Sequence, residues 1–325
     1  MSLSKPGARI TIDGTELGAD EAALLRLTIE MSVNGRHDHA LLRLWPRSKF
    51  ADAAAGATIS IALGERGSEQ AVFSGEVGAG RRLPNETVVE ALAATVRFSR
   101  AYKSQTYVGQ TVADIVRDLA DGAPIDQVEA TLKLNAYYVD NARPVWSQLQ
   151  TLARLVGADL GCAPDGGLRF VPAAGAAAPT QLRYGAELLD WNLARATAPQ
   201  SAAVAAYGAA SEQGDARWHW IAHDPVGAGG TATRLPAALA TRDGAQAVAD
   251  AMAARAGRAA VDGELLIVGA PKLRPGDSVQ LSDLPGGDPG VLRIRSLRHG
   301  FDGRSGFMTR LRVEAGEGGG LGGLP

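Results

Sequence analysis

Cysteine is almost missing from this chain: Cys162 is the one thiol in 325 residues. An internal disulfide is therefore excluded, and so is a zinc site founded on a cysteine pair. A basic excess is missing as well. The formal net charge is −2 and the pI is near 6.2, so the chain as a whole has no field to hold a phosphate backbone or an anionic membrane surface. No stretch approaches the roughly 18 consecutive apolar residues of a membrane-spanning helix, and the alanine-rich runs such as "AVAAYGAAS" are short and interrupted. The opening "MSLSKPGARITIDG" has an early lysine but no apolar core behind it, so it does not read as a secretory signal. The expectation is a soluble protein, made and assembled in the cytoplasm, with no stable nucleic-acid binding and no membrane insertion.

What is present is globular: 46% hydrophobic and 21% charged residues in a chain long enough for two or three domains. The first hundred residues read as strands. "ARITIDG" alternates Ile10 and Ile12 against Thr11 and Asp13, and "LLRLTIEMSV" and "HALLRLWP" follow with Asn34 and Gly35 between them, a pair that favours a tight hairpin. "ATISIAL", "EQAVFSGEVGAGRRLP" and "TVVEALAA" continue the pattern. Turn signals at this rhythm suggest an antiparallel sandwich or barrel.

From about residue 109 the period changes. Val112, Ile115, Val116 and Leu119 fall at helical spacing behind the N-cap candidate Thr111, with Asp114 three residues on and Gly122 and Pro124 at the end. A second helix puts Trp146, Leu149, Leu152 and Val156 on one face, between Pro144 and Gly157. "LKLNAYYVD" reads as a strand, and "ADLGCAPDGGLRFVP" as a hairpin turning at Asp165, Gly166 and Gly167. Beyond the low-complexity connector 173–181, strand signals resume with "QLRYG", "LLDWNLARA" and "SAAVAAYG". A third helix, "TRDGAQAVADAMAARAGRAA", offers Ala245, Val248, Met252 and Ala253 as a small-residue face for packing on a sheet. The tail "GEGGGLGGLP" has too little apolar side chain to hold a fold.

The stretch 263–287, "GELLIVGAPKLRPGDSVQLSDLPGG", reads as a β-hairpin with no chemistry in it. Candidates for chemistry elsewhere are weak. His37 and His39 flank Asp38 and would share a strand face, as some zinc sites need, but they follow Asn-Gly, where exposed polar residues are ordinary. His219, His223 and Asp224 lie in a Trp-His-Trp alternation ended by Pro225; on a strand a spacing of four spans about 13 Å, too far to share a ligand. His299, Asp302 and Ser305 lack the strand-turn-helix context of a nucleophile elbow. The carboxylates Asp283 with Asp288, and Glu187 with Asp190, are unplaced in space and sit in turn-like surroundings. "GAGG" at 227–230 lacks what a phosphate loop requires. No catalytic, cofactor-binding or metal-binding residue is assigned. Arg293, Arg295 and Arg298, and Arg310 and Arg312, alternate along two strands and so suggest a face toward solvent or acidic protein rather than core.

Taken in order, "FSRAYKSQTYVGQTVADIVRDLADGA", "YYVDNARPVWSQLQTLARLVGADLGCAPDGGLRFVP", "LRYGAELLDWNLAR", "LLIVGAPKLRPGDSVQLSDL" and "GVLRIRSLRHGFDGRSGFMTRLRVEA" resemble the late control protein D family of phage tails, itself similar to the hub half of the valine-glycine repeat protein G of type VI secretion. The resemblance implies a mainly β fold with an α/β insert: two tube-like antiparallel β-barrel domains plus a small helix-containing domain. The boundaries expected are 1–100 for the first barrel, 101–180 for the insert, 181–315 for the second barrel with one helix, and 316–325 for a flexible glycine-rich tail. It also implies a non-enzymatic baseplate hub, a homotrimer forming a pseudo-six-fold ring that joins the tail tube protein to a separate spike protein, with tape-measure and baseplate wedge proteins as further partners. Leu273, Val279 and Leu281 of the 263–287 stretch would then face the barrel core. The readings set against it are a cell-wall-degrading enzyme and a peptidoglycan-binding module.

Overall fold

The computed structural model describes residues 5–173, 178–195, 204–205, 207–210, 219–222, 233–234, 242–285, 287 and 289–316. The alternation in the first hundred residues gives seven strands: β1 (Pro6–Ile12), β2 (Thr15–Gly18), β3 (Leu24–Ser32), β4 (His39–Leu44), β5 (Thr58–Glu65), β6 (Gln70–Arg82) and β7 (Thr87–Ala93). A short helix, α1 (Arg97–Arg100), leads into β8 (Gln105–Thr111), α2 (Val112–Ala120), β9 (Ile125–Val128), β10 (Lys133–Val139), α3 (Val145–Val156), β11 (Ala158–Cys162) and β12 (Leu168–Pro172). The C-terminal half contributes β13 (Thr180–Arg183), β14 (Leu188–Arg195), the short strands β15 (Val204–Ala205), β16 (Tyr207–Ala210), β17 (His219–Ala222) and β18 (Thr233–Arg234), helix α4 (Arg242–Arg258), and β19 (Val261–Val268), β20 (Ser278–Ser282), β21 (Val291–Asp302) and β22 (Gly306–Ala315).

Strands from both halves form one curled, half-barrel sheet of 13 strands, in the order β14-β19-β22-β21-β3-β4-β7-β6-β5-β1-β2, with β13 and β20 attached beside β21. Pairing is antiparallel throughout this sheet except for β13 on β20. The seam between the halves is β3 against β21, from Ser32 opposite Ser296 to Arg26 opposite Asp302. Inward side chains of both halves accordingly share a single apolar cluster, in which Ile10, Leu27, Ile29, Leu42 and Leu44 meet Leu265, Ile267, Leu292, Ile294 and Leu311. Two-residue periodicity decides this: one face of each strand is apolar and is withdrawn from water, at about 25 cal/mol per Å² of apolar surface.

A second apolar cluster belongs to the helix-containing region, where Ile115, Val116 and Leu119 of α2 meet Trp146, Leu149 and Leu152 of α3 and Leu160, Leu168 and Phe170 of the small sheet β11-β12-β9. The helix ends are those the residues call for. Thr111 Oγ1 accepts a hydrogen bond from the Asp114 N–H at 3.2 Å, and α3 ends at Gly157 in the left-handed region at φ 65°. A Cβ at Gly157 would also stand 2.9 Å from Ala251 of α4, so glycine there permits both the cap and the close approach of α4.

Helix α4 differs from the sequence expectation. Val248, Ala249 and Ala251 are buried, with Val248 and Ala249 joining the α2–α3 cluster; Ala253 is exposed. The face it buries keeps Val248 and Met252 of the expected set, takes in Ala249 and Ala251 in place of Ala253, and packs on helix α3 and its neighbours. The Ala245 side chain, His223, Asp224, Asp288, the 227–230 glycines and the tail from 317 lie outside the described residues.

The stretch 263–287 is not a hairpin. β19 pairs with β14 and β22, whereas β20 pairs with β13 and β21, so the two strands flank opposite edges of the β21–β22 hairpin. Pro271 and Pro275 offer no N–H for a ladder between them. The connection is instead bonded across the hairpin: Gly269 N–H to Phe307 O, Gly276 N–H to Ile294 O and Ile294 N–H to Asp277 O, at 3.0, 2.8 and 2.8 Å. Leu273, Val279 and Leu281 do face the core, at 4%, 0% and 1% exposure. β21 serves β20 and β3 on the same edge with successive segments, 291–293 and 296–302, and the bulge between Ile294 and Ser296 in its pairing with β22 falls between them.

Candidate functional site

The residues singled out for chemistry are dispersed. His37 turns inward: Nδ1 is 3.1 Å from Thr95 Oγ1, Nε2 is 2.6 Å from Ser99 Oγ, and the ring lies 4.3 Å from that of Trp146. His39, two residues on, instead meets Glu30 at 3.6 Å. His219 lies on β17, paired with Ala210. Asp302 caps the β21–β22 turn by accepting from the Arg304 and Ser305 N–H groups. His299 sits in the apolar core, fully buried, with Nδ1 2.9 Å from Thr309 Oγ1 and its ring edge-on to Phe307. Glu187 accepts from the Arg183 N–H, Asp190 from its neighbour Trp191, and Asp283 is exposed. Among the described residues no three His, Cys, Asp or Glu side chains are grouped to hold a metal.

Burial of His299, reinforced by Arg274, holds its imidazole at a pKa of about 3. The folded state thus refuses a proton that the unfolded chain takes at about 6.5. Its contribution is intact above pH 6.5 and is lost as pH falls from there toward 3. Replacing it with glutamine is expected to flatten the acid limb of stability between pH 6.5 and 4 relative to the parent, measured by urea unfolding at each pH; an unchanged slope would contradict the assignment.

The densest polar machinery lies where the helix-containing region meets the large sheet. A cleft of about 530 Å³ separates β11, β12 and β9 from the connection that precedes β20. Three features mark this junction. First, Asn34, at φ 57°, acts as a peg on the outer edge of β11: its side chain donates to Ala158 O and accepts from Leu160 N–H, each at 3.0 Å, and its own N–H reaches Leu160 O at 2.9 Å. The Asn-Gly pair therefore does not close a tight hairpin; β3 and β4 are joined by a six-residue loop spanning 33–38, because its asparagine is committed to β11. Asn34→Ala is expected to cost about 1–3 kcal/mol, since it strands two backbone groups and puts alanine in a left-handed conformation. Faster amide exchange at Leu160 than in the parent is the check.

Second, Arg293 is not on a solvent face. It is 3% exposed and joins Asp159 of β11 and Glu314 of β22, with Arg258 of α4 3.4 Å from the same glutamate. Alternation along β21 places it opposite the core, as expected, but β11 covers it. Arg295 and Arg298 are exposed and pair with Asp262 and Glu30, and Arg310 pairs with Glu264.

Third, Asp38 is 7% exposed, its Oδ1 accepting from the Ser32 N–H at 3.0 Å, and burial pushes its carboxyl up to about 7. Burial likewise raises Asp277 and pushes the Cys162 thiol up to about 12, which leaves that thiol protonated and a poor nucleophile at neutral pH. Sequence reasoning gave Asp38, Asp159 and Arg274 no role because a single polar residue carries no signal of burial by elements remote in sequence.

No protein-family model matches the sequence, and no curated protein matches it. The fold decides what the sequence comparisons leave open. A tail protein from Neisseria meningitidis superposes with a TM-score of 0.71 over 96% of this chain and 97% of its own, at 15% identity. The chain has the fold of a phage tail protein. The 43 kDa tail protein of prophage MuSo2 from Shewanella oneidensis gives 0.66 over 95% and 98%, at 14% identity. An Escherichia coli component of the type VI secretion system, described as structurally similar to the bacteriophage T4 tail proteins gp27 and gp5, gives 0.64 over 95% of this chain and 77% of its own, at 11% identity. The family resemblance seen in the sequence thus holds at the level of fold, mainly β with a helix-containing insert.

Proposed function

We propose that the chain is a structural, non-enzymatic component of a phage tail or tail-like injection particle: the baseplate hub, acting as a homotrimer whose pseudo-six-fold ring joins tail tube to spike. The observation that carries this is the shared fold with two tail proteins over nearly the whole of both chains. In this reading 1–100 and 181–315 supply two tube-like barrels to the ring, and 101–180 stands beside them. Tape-measure and wedge proteins are the other partners. One feature supports it. Among the described residues the large sheet is curled but open, with β2 and β14 ending its main path and β13 its side branch, and open edges of this kind are usually covered by a neighbour.

The test is the mass of the purified chain by light scattering, alone and with a candidate spike protein. A trimer, or a complex containing three copies with the spike, is expected. A monomer in both conditions overturns the ring.

A further inference from the structure

The face of the large sheet opposite the core carries a trough of about 400 Å³ that the hub reading does not use. Its walls place Arg36, Arg298, Arg310 and Arg312 around Glu30 and Glu264. Glu30 is taken by Arg298 and His39, and Glu264 by Arg310 at 3.1 Å. Arg36 and Arg312 are exposed and have no carboxylate partner among the described residues. The trough is thus cationic in a chain whose net charge is −2. At Arg36, His37 and His39 it runs into a second depression, of about 670 Å³, between the sheet and α3, where Leu92, Trp146 and Gln150 form the wall. His37 is held across the junction by Thr95, Ser99 and the Trp146 ring, so the two depressions make one groove with a preformed floor.

We propose that this groove docks an extended acidic segment of a partner protein, its carboxylates on Arg312 and Arg36 and an apolar side chain in the depression beside Trp146. The chemistry favours this occupant. An exposed guanidinium without a partner offers paired donors that match a carboxylate. An extended peptide presents alternate side chains to one face, so it can place acids on the two free arginines and neutral residues over Glu30 and Glu264. A nucleic-acid strand carries a charge at every nucleotide and would meet those two glutamates. Nor does the groove offer an open Phe, Tyr or Trp face for stacking; Trp146 is 7% exposed and covered by His37. The inference does not depend on the ring.

The probe is a fluorescein-labelled synthetic peptide with glutamate at alternate positions and a terminal leucine, titrated with the full chain by fluorescence anisotropy at about 50 mM and about 200 mM salt. Saturable binding is expected, weakened by salt and weakened at least tenfold by R36E/R312E. R36Q/R312Q is the milder companion and should give an intermediate loss; both pairs are exposed, and unchanged far-UV circular dichroism checks the fold. A single-stranded oligonucleotide of equal length is titrated in parallel. Peptide binding that both variants leave intact, no peptide binding at all, or oligonucleotide binding tighter than the peptide's and lost in the variants, would each overturn the proposal.

Discussion

Arg293→Ala is expected to destabilise the folded chain by about 3–5 kcal/mol at pH 7, because it leaves two carboxylates in a site built around one guanidinium. Arg293 lies between Asp159 and Glu314, and all three are largely withdrawn from water, at 4%, 9% and 16% side-chain exposure. Glu314 keeps Arg258; Asp159 is left with no cation in contact. Burial already raises the Asp159 carboxyl, and Arg293 is the main influence pulling it back. Without Arg293 the carboxyl rises further. A carboxyl raised in the folded state binds a proton there before the unfolded chain does, so the variant regains stability as pH falls toward the ordinary carboxylate range. The deficit relative to the parent should therefore shrink between pH 7 and 5. Urea unfolding at both values reads it directly, and a deficit independent of pH would contradict the charge cluster as its cause. The double variant Arg293→Met with Asp159→Leu removes both members of the pair and should cost markedly less than Arg293→Ala, because no buried charge is then left alone.

Ile294→Asp and Val279→Asp are expected to abolish folding outright. Both positions are 0% exposed and belong to the shared core of the large sheet. Each change loses the burial of a branched side chain and places an unpaired carboxylate in its stead, at several kcal/mol for the charge alone. Domains hold only about 5–15 kcal/mol in all. Ile294→Val is the control and should cost about 0.5–1.5 kcal/mol. Soluble yield and far-UV circular dichroism separate the two cases; a soluble, folded aspartate variant would mean that these strand faces are assigned wrongly.

Local structure was legible wherever period and caps agreed. The helix behind Thr111 and the helix ended by Gly157 fall where their residues put them, since their caps and hydrogen bonds lie within a few positions, and the strands of the first hundred residues follow the alternation along each strand. What escaped depends on partners far along the chain. Nothing in "GELLIVGAPKLRPGDSVQLS" says that its two strands separate to flank another hairpin, because β-pairing is chosen by the whole sheet. Asn34 reads as a turn residue until β11 arrives to accept it. Arg293 follows the alternation of its strand, yet is buried because a separate element lies over that face. The groove was partly legible: the alternating arginines of β21 and β22 mark the face, whereas the share of them neutralised by Glu30 and Glu264 is visible only in the register.

The seam between β3 and β21 also dictates an order of events. Residues 26–32 pair with residues 296–302, so this edge of β3 has no partner until residues 296–302 have left the ribosome. The early strands can pair with one another as they emerge, but the seam forms only after residues 296–302 have followed, and contacts so remote in sequence form slowly. During that interval β3 presents an open edge of the sort that templates aggregation. The chain's weak point is accordingly temporal rather than structural: truncations that remove β21, or pauses in translation before it, should yield aggregates even though the N-terminal strands are intact.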